Sequence, residues 1–119
     1  MVKLNPGFHF VLQIIKKGVK KLVTSWKDTQ KGVEVRGTYG NEVTIIYNGL
    51  LKNSGADQVY LHYGYGDTDR WYDINTIRMD NTHQGFEKTI SMKNHMLNFC
   101  FKDSANNWDN NNGHNWTVR

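Results

Sequence analysis

The chain has 119 residues, of which 38% are hydrophobic and 13% aromatic, a size that can bury one modest core. Its formal charge of +4 is unevenly placed: residues 1–31 hold seven lysines against Asp28 alone, a net +6, and residues 32–119 hold eight Lys/Arg against ten acids, a net −2. The mildly acidic body lacks the electrostatic footprint of a nucleic-acid binder, the lone Cys100 excludes an internal disulfide, and no stretch reaches the roughly 20 apolar residues that span a bilayer.

The first predicted element is a helix over residues 8–26, FHFVLQIIKKGVKKLVTSW. Phe8, Leu12, Ile15, Val19, Leu22 and Trp26 recur at steps of four and three, Val11 and Val23 widen the stripe, and Lys16, Lys17, Lys20 and Lys21 lie off it. Asn5 and Pro6 make a start signal. His9 and Gln13 interrupt the apolar run and no small-residue cleavage site follows, so this is not a secretory signal and a cytoplasmic setting is expected.

After Lys31 the period becomes two. Strands are predicted at 33–37, 42–49, 58–64, 85–92, 95–103 and 115–119, separated by turn-rich pieces such as LLKNSGAD and DNTHQG. Short strands at close spacing predict an antiparallel β-sandwich, with the boundary to the basic helix near residues 27–32. The connection from Gly64 to Gly85 reads as one long loop carrying Trp71, and long loops on small sandwiches are where binding usually happens. The other unusual segment is ANNWDNNNGHNW, residues 105–116. Asparagine alone would mark a turn, but Trp108 has no obvious core to enter there.

Catalysis is the first chemistry to exclude. The acids are scattered over turns, no serine has a nucleophile-elbow context, and Cys100 sits in the strand pattern LNFCF as a half-buried, inert thiol. The five histidines show no ligand spacing. Asp67, Asp69 and Asp73 mimic positions 1, 3 and 7 of a calcium loop, but Tyr72 stands where glycine is needed and no glutamate closes the loop. No metal and no cofactor are expected.

Sugar binding fits better. A pyranose has an apolar C–H face and a rim of hydroxyls; an exposed indole offers a flat apolar surface, and an amide both donates and accepts. WDNN supplies an indole followed by a carboxylate and two amides. Trp71 lies in the other loop and His62 on the strand leading into it. Against this stand blander readings: Trp108 or Trp71 as core plugs, and His62 as an ordinary sheet residue.

The sequence resembles the starch-binding modules of carbohydrate-binding module families twenty-five and fifty-three. The matching features are IIYNG (45–49), VYLHYGYG (59–66), Trp71, Met79, GFEKTI (85–90) and LNFCFKDSANNWDNNNGHNW (97–116), covering about residues 40–118. The resemblance implies an immunoglobulin-like β-sandwich that binds α-1,4-linked glucan such as starch, glycogen or maltooligosaccharides without catalysis. By position it implies a platform of His62, Trp71 and Trp108, with Asp109, Asn110 and Asn111 as a hydrogen-bonding rim. It also implies an amylolytic or glycogen-metabolic enzyme as partner. The expected organisation is therefore a helical segment over 1–30 and a sandwich over 31–119. The competing expectation is an interaction or membrane-surface protein acting through residues 8–26, with packing of that helix favoured over membrane contact.

Overall fold

The computed structural model describes residues 25–38 and 40–119. In chain order the strands are β1 (Trp26–Asp28), β2 (Val33–Gly37), β3 (Glu42–Tyr47), β4 (Val59–Asp67), β5 (Arg70–Arg78), β6 (Asp80–Thr82), β7 (Gly85–Ser91), β8 (Leu97–Asp103), β9 (Trp108–Asp109) and β10 (Trp116–Val118). One short helix, α1 (Leu50–Asn53), interrupts them between β3 and β4.

All the strand pairs are antiparallel. One sheet runs β1-β2-β3-β7-β6 and the other β10-β8-β4-β5, with β9 also paired to β8. Alternation along each strand explains what lies between them. Val33, Val35, Val43, Ile45, Tyr47, Phe86 and Ile90 of the first sheet meet Val59, Leu61, Leu97, Phe99, Phe101 and Trp116 of the second. Tyr47 stacks on Phe101 at 4.1 Å between ring centroids, and Phe99 lies 6.0 Å from Trp116. The sandwich expectation holds, and six predicted strands recur as β2, β3, β4, β7, β8 and β10 with ends shifted by up to three residues.

Three expectations need correction. The segment 64–85 is not one long loop, because β4 continues to Asp67, turns at Thr68 and Asp69, and returns as β5 and β6. Strand β5 escapes a period-two test because it is an edge strand, exposed at most positions on both faces. Second, part of LLKNSGAD is the single turn α1 rather than turn alone. Third, Trp26 is not the end of a helical stripe: it lies in β1, opposite Val35, with its ring 6.5 Å from that of Phe99. The rest of the predicted basic helix, residues 8–24, lies outside the described residues.

Candidate functional site

Leu61 is fully buried in the core, so its neighbours Tyr60 and His62 project from the outer face of the β10-β8-β4-β5 sheet. The register then builds two rows on that face. Arg78, Tyr60, Lys102 and Trp108 lie opposite one another along one row. Thr76, His62 and Cys100 form the next.

Around the second row lies an open depression of about 380 Å³, lined by His62, Thr68, Asp69, Trp71, Ile74, Cys100, Trp108, Asn110 and Asn115. Trp71 reaches it from β5 because Gly64 leaves room. A Cβ at Gly64 would stand 3.1 Å from Trp71 Cβ and 3.2 Å from its Cε3. The strand pairing also shifts between Tyr63 and Tyr65, and such an irregularity re-aims the side chains beside it. The Trp71 Nε1–H donates to the Thr68 carbonyl at 2.8 Å, fixing the indole over the β4–β5 turn.

Trp108 arrives from the asparagine-rich segment. Asp103 organises its start: Oδ1 accepts from the amides of Ala105 (2.9 Å) and Asn107 (2.8 Å), and Oδ2 from Asn107 Nδ2 (2.9 Å). These bonds, led by the Asn107 side chain, hold the Asp103 carboxyl below its usual range. Asn106, Asn111, Asn112 and Asn115 all have φ between 55° and 64°. That left-handed region costs asparagine little, which accounts for the composition of the turn. In β9 the two faces divide: Trp108 stays 47% exposed, whereas Asp109 is turned inward and is 8% exposed.

His62 sits between the two indoles. Its ring centroid is 5.9 Å from Trp71, inclined 33°, and 5.2 Å from Trp108, inclined 84°. The indole planes are therefore inclined to each other by at least the difference, about 51°, so the aromatic surface is bent rather than flat. His62 Nδ1 and Thr76 Oγ1 are hydrogen-bonded at 2.7 Å. Partial burial, and secondarily the charge of Lys102, push the His62 pKa below its ordinary value, so the imidazole is neutral at pH 7. Burial pushes the Cys100 thiol up to about 12, and it remains protonated beneath the rings.

Of the six residues expected to form the site, the depression brings together His62, Trp71, Trp108 and Asn110. Asp109 and Asn111 are not among its lining. Asp109 Oδ2 accepts from the buried Tyr47 hydroxyl at 2.6 Å, and Asn111 Nδ2 donates to the Asn115 carbonyl at 3.0 Å. The carboxylate is thus spent on the core and Asn111 on the loop's own backbone. Asn110 Oδ1 accepts from the Gly113 amide at 3.0 Å. Thr68, Asp69, Ile74, Cys100 and Asn115 were not anticipated. Cys100 was within reach of the pattern, since strand pairing puts it beside His62. Among the described residues no three His, Cys, Asp or Glu side chains converge as a metal site would need.

Residues 43–99 match the model of the starch/carbohydrate-binding module, family 53. Over those residues, just under half of the chain, the sandwich is similar to that module. An α-amylase of Clostridium acetobutylicum is 42% identical over 82 residues, which cover 66% of this chain and 10% of that protein. The chain thus matches only about a tenth of the length of this curated relative. No solved structure matches significantly. The family-53 match ends within β8 and so takes in His62 and Trp71 but not Trp108.

Proposed function

We propose that this module binds α-1,4-linked glucan, as starch, glycogen or maltooligosaccharide, by stacking glucosyl rings on Trp108 and Trp71. The observation that carries the reading is the pair of inclined indoles on either side of a neutral His62 in an open depression. A helical α-glucan presents successive rings at an angle, which a bent aromatic surface follows better than a flat one. Asn110 and Asn115 line the same depression, and their amides can address sugar hydroxyls.

The action is binding without hydrolysis. Hydrolysis of a glycosidic bond ordinarily takes two carboxylates facing it, and among the described residues Asp69 alone supplies a carboxylate to the lining of the depression. The similarity to part of an α-amylase supports a role beside amylolytic chemistry, with the module holding substrate for a catalytic unit.

Affinity electrophoresis and calorimetry test this. Glycogen or soluble starch in the gel retards the protein, and maltoheptaose binds with quenching or shift of tryptophan fluorescence. Unchanged migration with glycogen, amylose and maltoheptaose alike overturns the glucan assignment.

A further inference from the structure

The row beside the depression is the strongest unassigned feature of the molecule. Tyr60 lies between two cations, paired in register with Lys102 of β8 on one side and Arg78 of β5 on the other. Directly cross-strand residues share a face, so ring and cations belong to one strip. Lys102 is held over aromatic surface at both ends, with Nζ 5.3 Å from the Tyr60 centroid and 5.8 Å from that of Trp108. The ion pairs among the described residues are Arg36–Glu34 and Lys88–Asp80, so neither Lys102 nor Arg78 has a carboxylate partner there. The carboxylates nearest Lys102 in sequence are engaged elsewhere, Asp103 with its turn and Asp109 with Tyr47, and Asp80, two residues from Arg78, pairs with Lys88 at 3.8 Å. Asp69 lines the depression with Trp71 and Thr68. The site therefore has an acidic residue at the β4–β5 turn and, along the row that ends at Trp108, two cations that form no ion pair among the described residues.

We propose that Tyr60, Lys102 and Arg78 form an anion-accepting extension of the platform, selecting glucan chains that carry phosphate monoesters. This rests on the glucan reading above and deepens it. A glucosyl unit next to the one on Trp108 would lie along Tyr60, and a phosphate on it would meet Lys102 and Arg78. The phosphate carries about −1.5 to −2 charge at neutral pH and three acceptor oxygens. The guanidinium can engage two of these and the ammonium a third. His62, its pKa lowered by burial and by Lys102, adds no positive charge beside them at neutral pH.

The test compares maltoheptaose with maltoheptaose bearing 6-phosphate esters, by calorimetry at pH 7.5 and low salt. The phosphorylated ligand binds about tenfold more tightly, the size expected of one charged hydrogen bond, and the ratio shrinks as salt rises. Lys102→Gln with Arg78→Gln brings the ratio of affinities to near one, and Lys102→Arg alone preserves it. A ratio near one in the parent protein overturns the extension and leaves the neutral platform standing. A ratio that survives the double substitution also overturns it. If maltoheptaose does not bind and Trp108→Ala changes nothing, the platform itself fails and the extension with it.

Discussion

The Tyr47 hydroxyl donates to Asp109 Oδ2 at 2.6 Å inside the sandwich, one residue along from the exposed indole of Trp108. The same hydroxyl accepts the Leu51 amide at 2.9 Å, so one buried oxygen ties β3, α1 and β9 together. Burial, with the bond to Asp109 second, pushes the Tyr47 pKa far above its ordinary value, and it stays a donor across the working range. Tyr47→Phe leaves a buried carboxylate oxygen and an amide without this partner, a cost of about 1–3 kcal/mol. The expected outcome is a lower urea midpoint together with weaker glucan binding, because β9 loosens. A variant unchanged in both would mean that Asp109 does not hold Trp108 in place.

The two tryptophans of the asparagine-rich segment separate cleanly. Trp116 is 6% exposed, stacks near Phe99 and donates from Nε1 to Asp28 Oδ2 at 3.2 Å. Its replacement by alanine costs about 3–5 kcal/mol of stability. Trp108→Ala, at an exposed position, shifts stability by no more than about 0.5 kcal/mol. It lowers glucan affinity about tenfold or more through lost stacking. Thermal unfolding and calorimetry on both variants check the contrast, and equal loss of stability would contradict it.

His62 gives the site an acid limit. Its pKa is lowered, first by desolvation and then by Lys102. The folded protein therefore resists protonation more than the unfolded chain, whose value is near 6.5. Stability from this group is fully present above about pH 6.5 and is lost as pH falls through the lowered folded value. Glucan affinity follows: flat from about pH 8 to 6.5, then declining, because a charged imidazole resists losing water to a stacked sugar. An NMR titration of the imidazole resolves it, and Lys102→Gln moves the midpoint upward. A midpoint at or above 6.5 in the parent protein would refute the assignment.

Gly64 is a packing requirement rather than a flexible joint. A methyl there would stand 3.1 Å from both Trp71 Cβ and Ile74 Cγ1, so each would have to give by a few tenths of an ångström. Gly64→Ala is expected to cost about 1–3 kcal/mol as an overpacking change and to weaken glucan binding by displacing the indole. Retained affinity would show that Trp71 is not part of the platform.

The strands buried on one face were legible because alternation records burial. VEVRG and EVTIIY show it directly, and both form where expected. RWYDINTIR does not, since β5 is solvated on both faces and nothing in its own residues marks the partner strand. β9 is two residues long and hidden in a run of asparagines whose purpose is backbone geometry. At the site, tryptophans in polar surroundings stand out in the sequence, and Trp71 and Trp108 both lie against His62. The inward turn of Asp109 was not legible, because the hydroxyl that claims it lies 62 residues away in sequence. Local pattern could distinguish an acid in a turn from one in a strand, but not an acid with a buried partner from one without.

The short strand β1 pairs with β2 across Trp26↔Val35, Lys27↔Glu34 and Asp28↔Val33. The Ser25 hydroxyl accepts the Gly37 amide at 3.0 Å, and Asp28 holds the Trp116 indole across the sandwich. Residues 25–28 therefore act as a selvedge on the fabric, finishing a sheet margin that would otherwise fray. A module cut at residue 31 would expose the backbone of β2 as a vacant template, inviting a second copy to add its own strand. Such a fragment would fail by sticking to itself, and its lost glucan binding would be mistaken for a missing site.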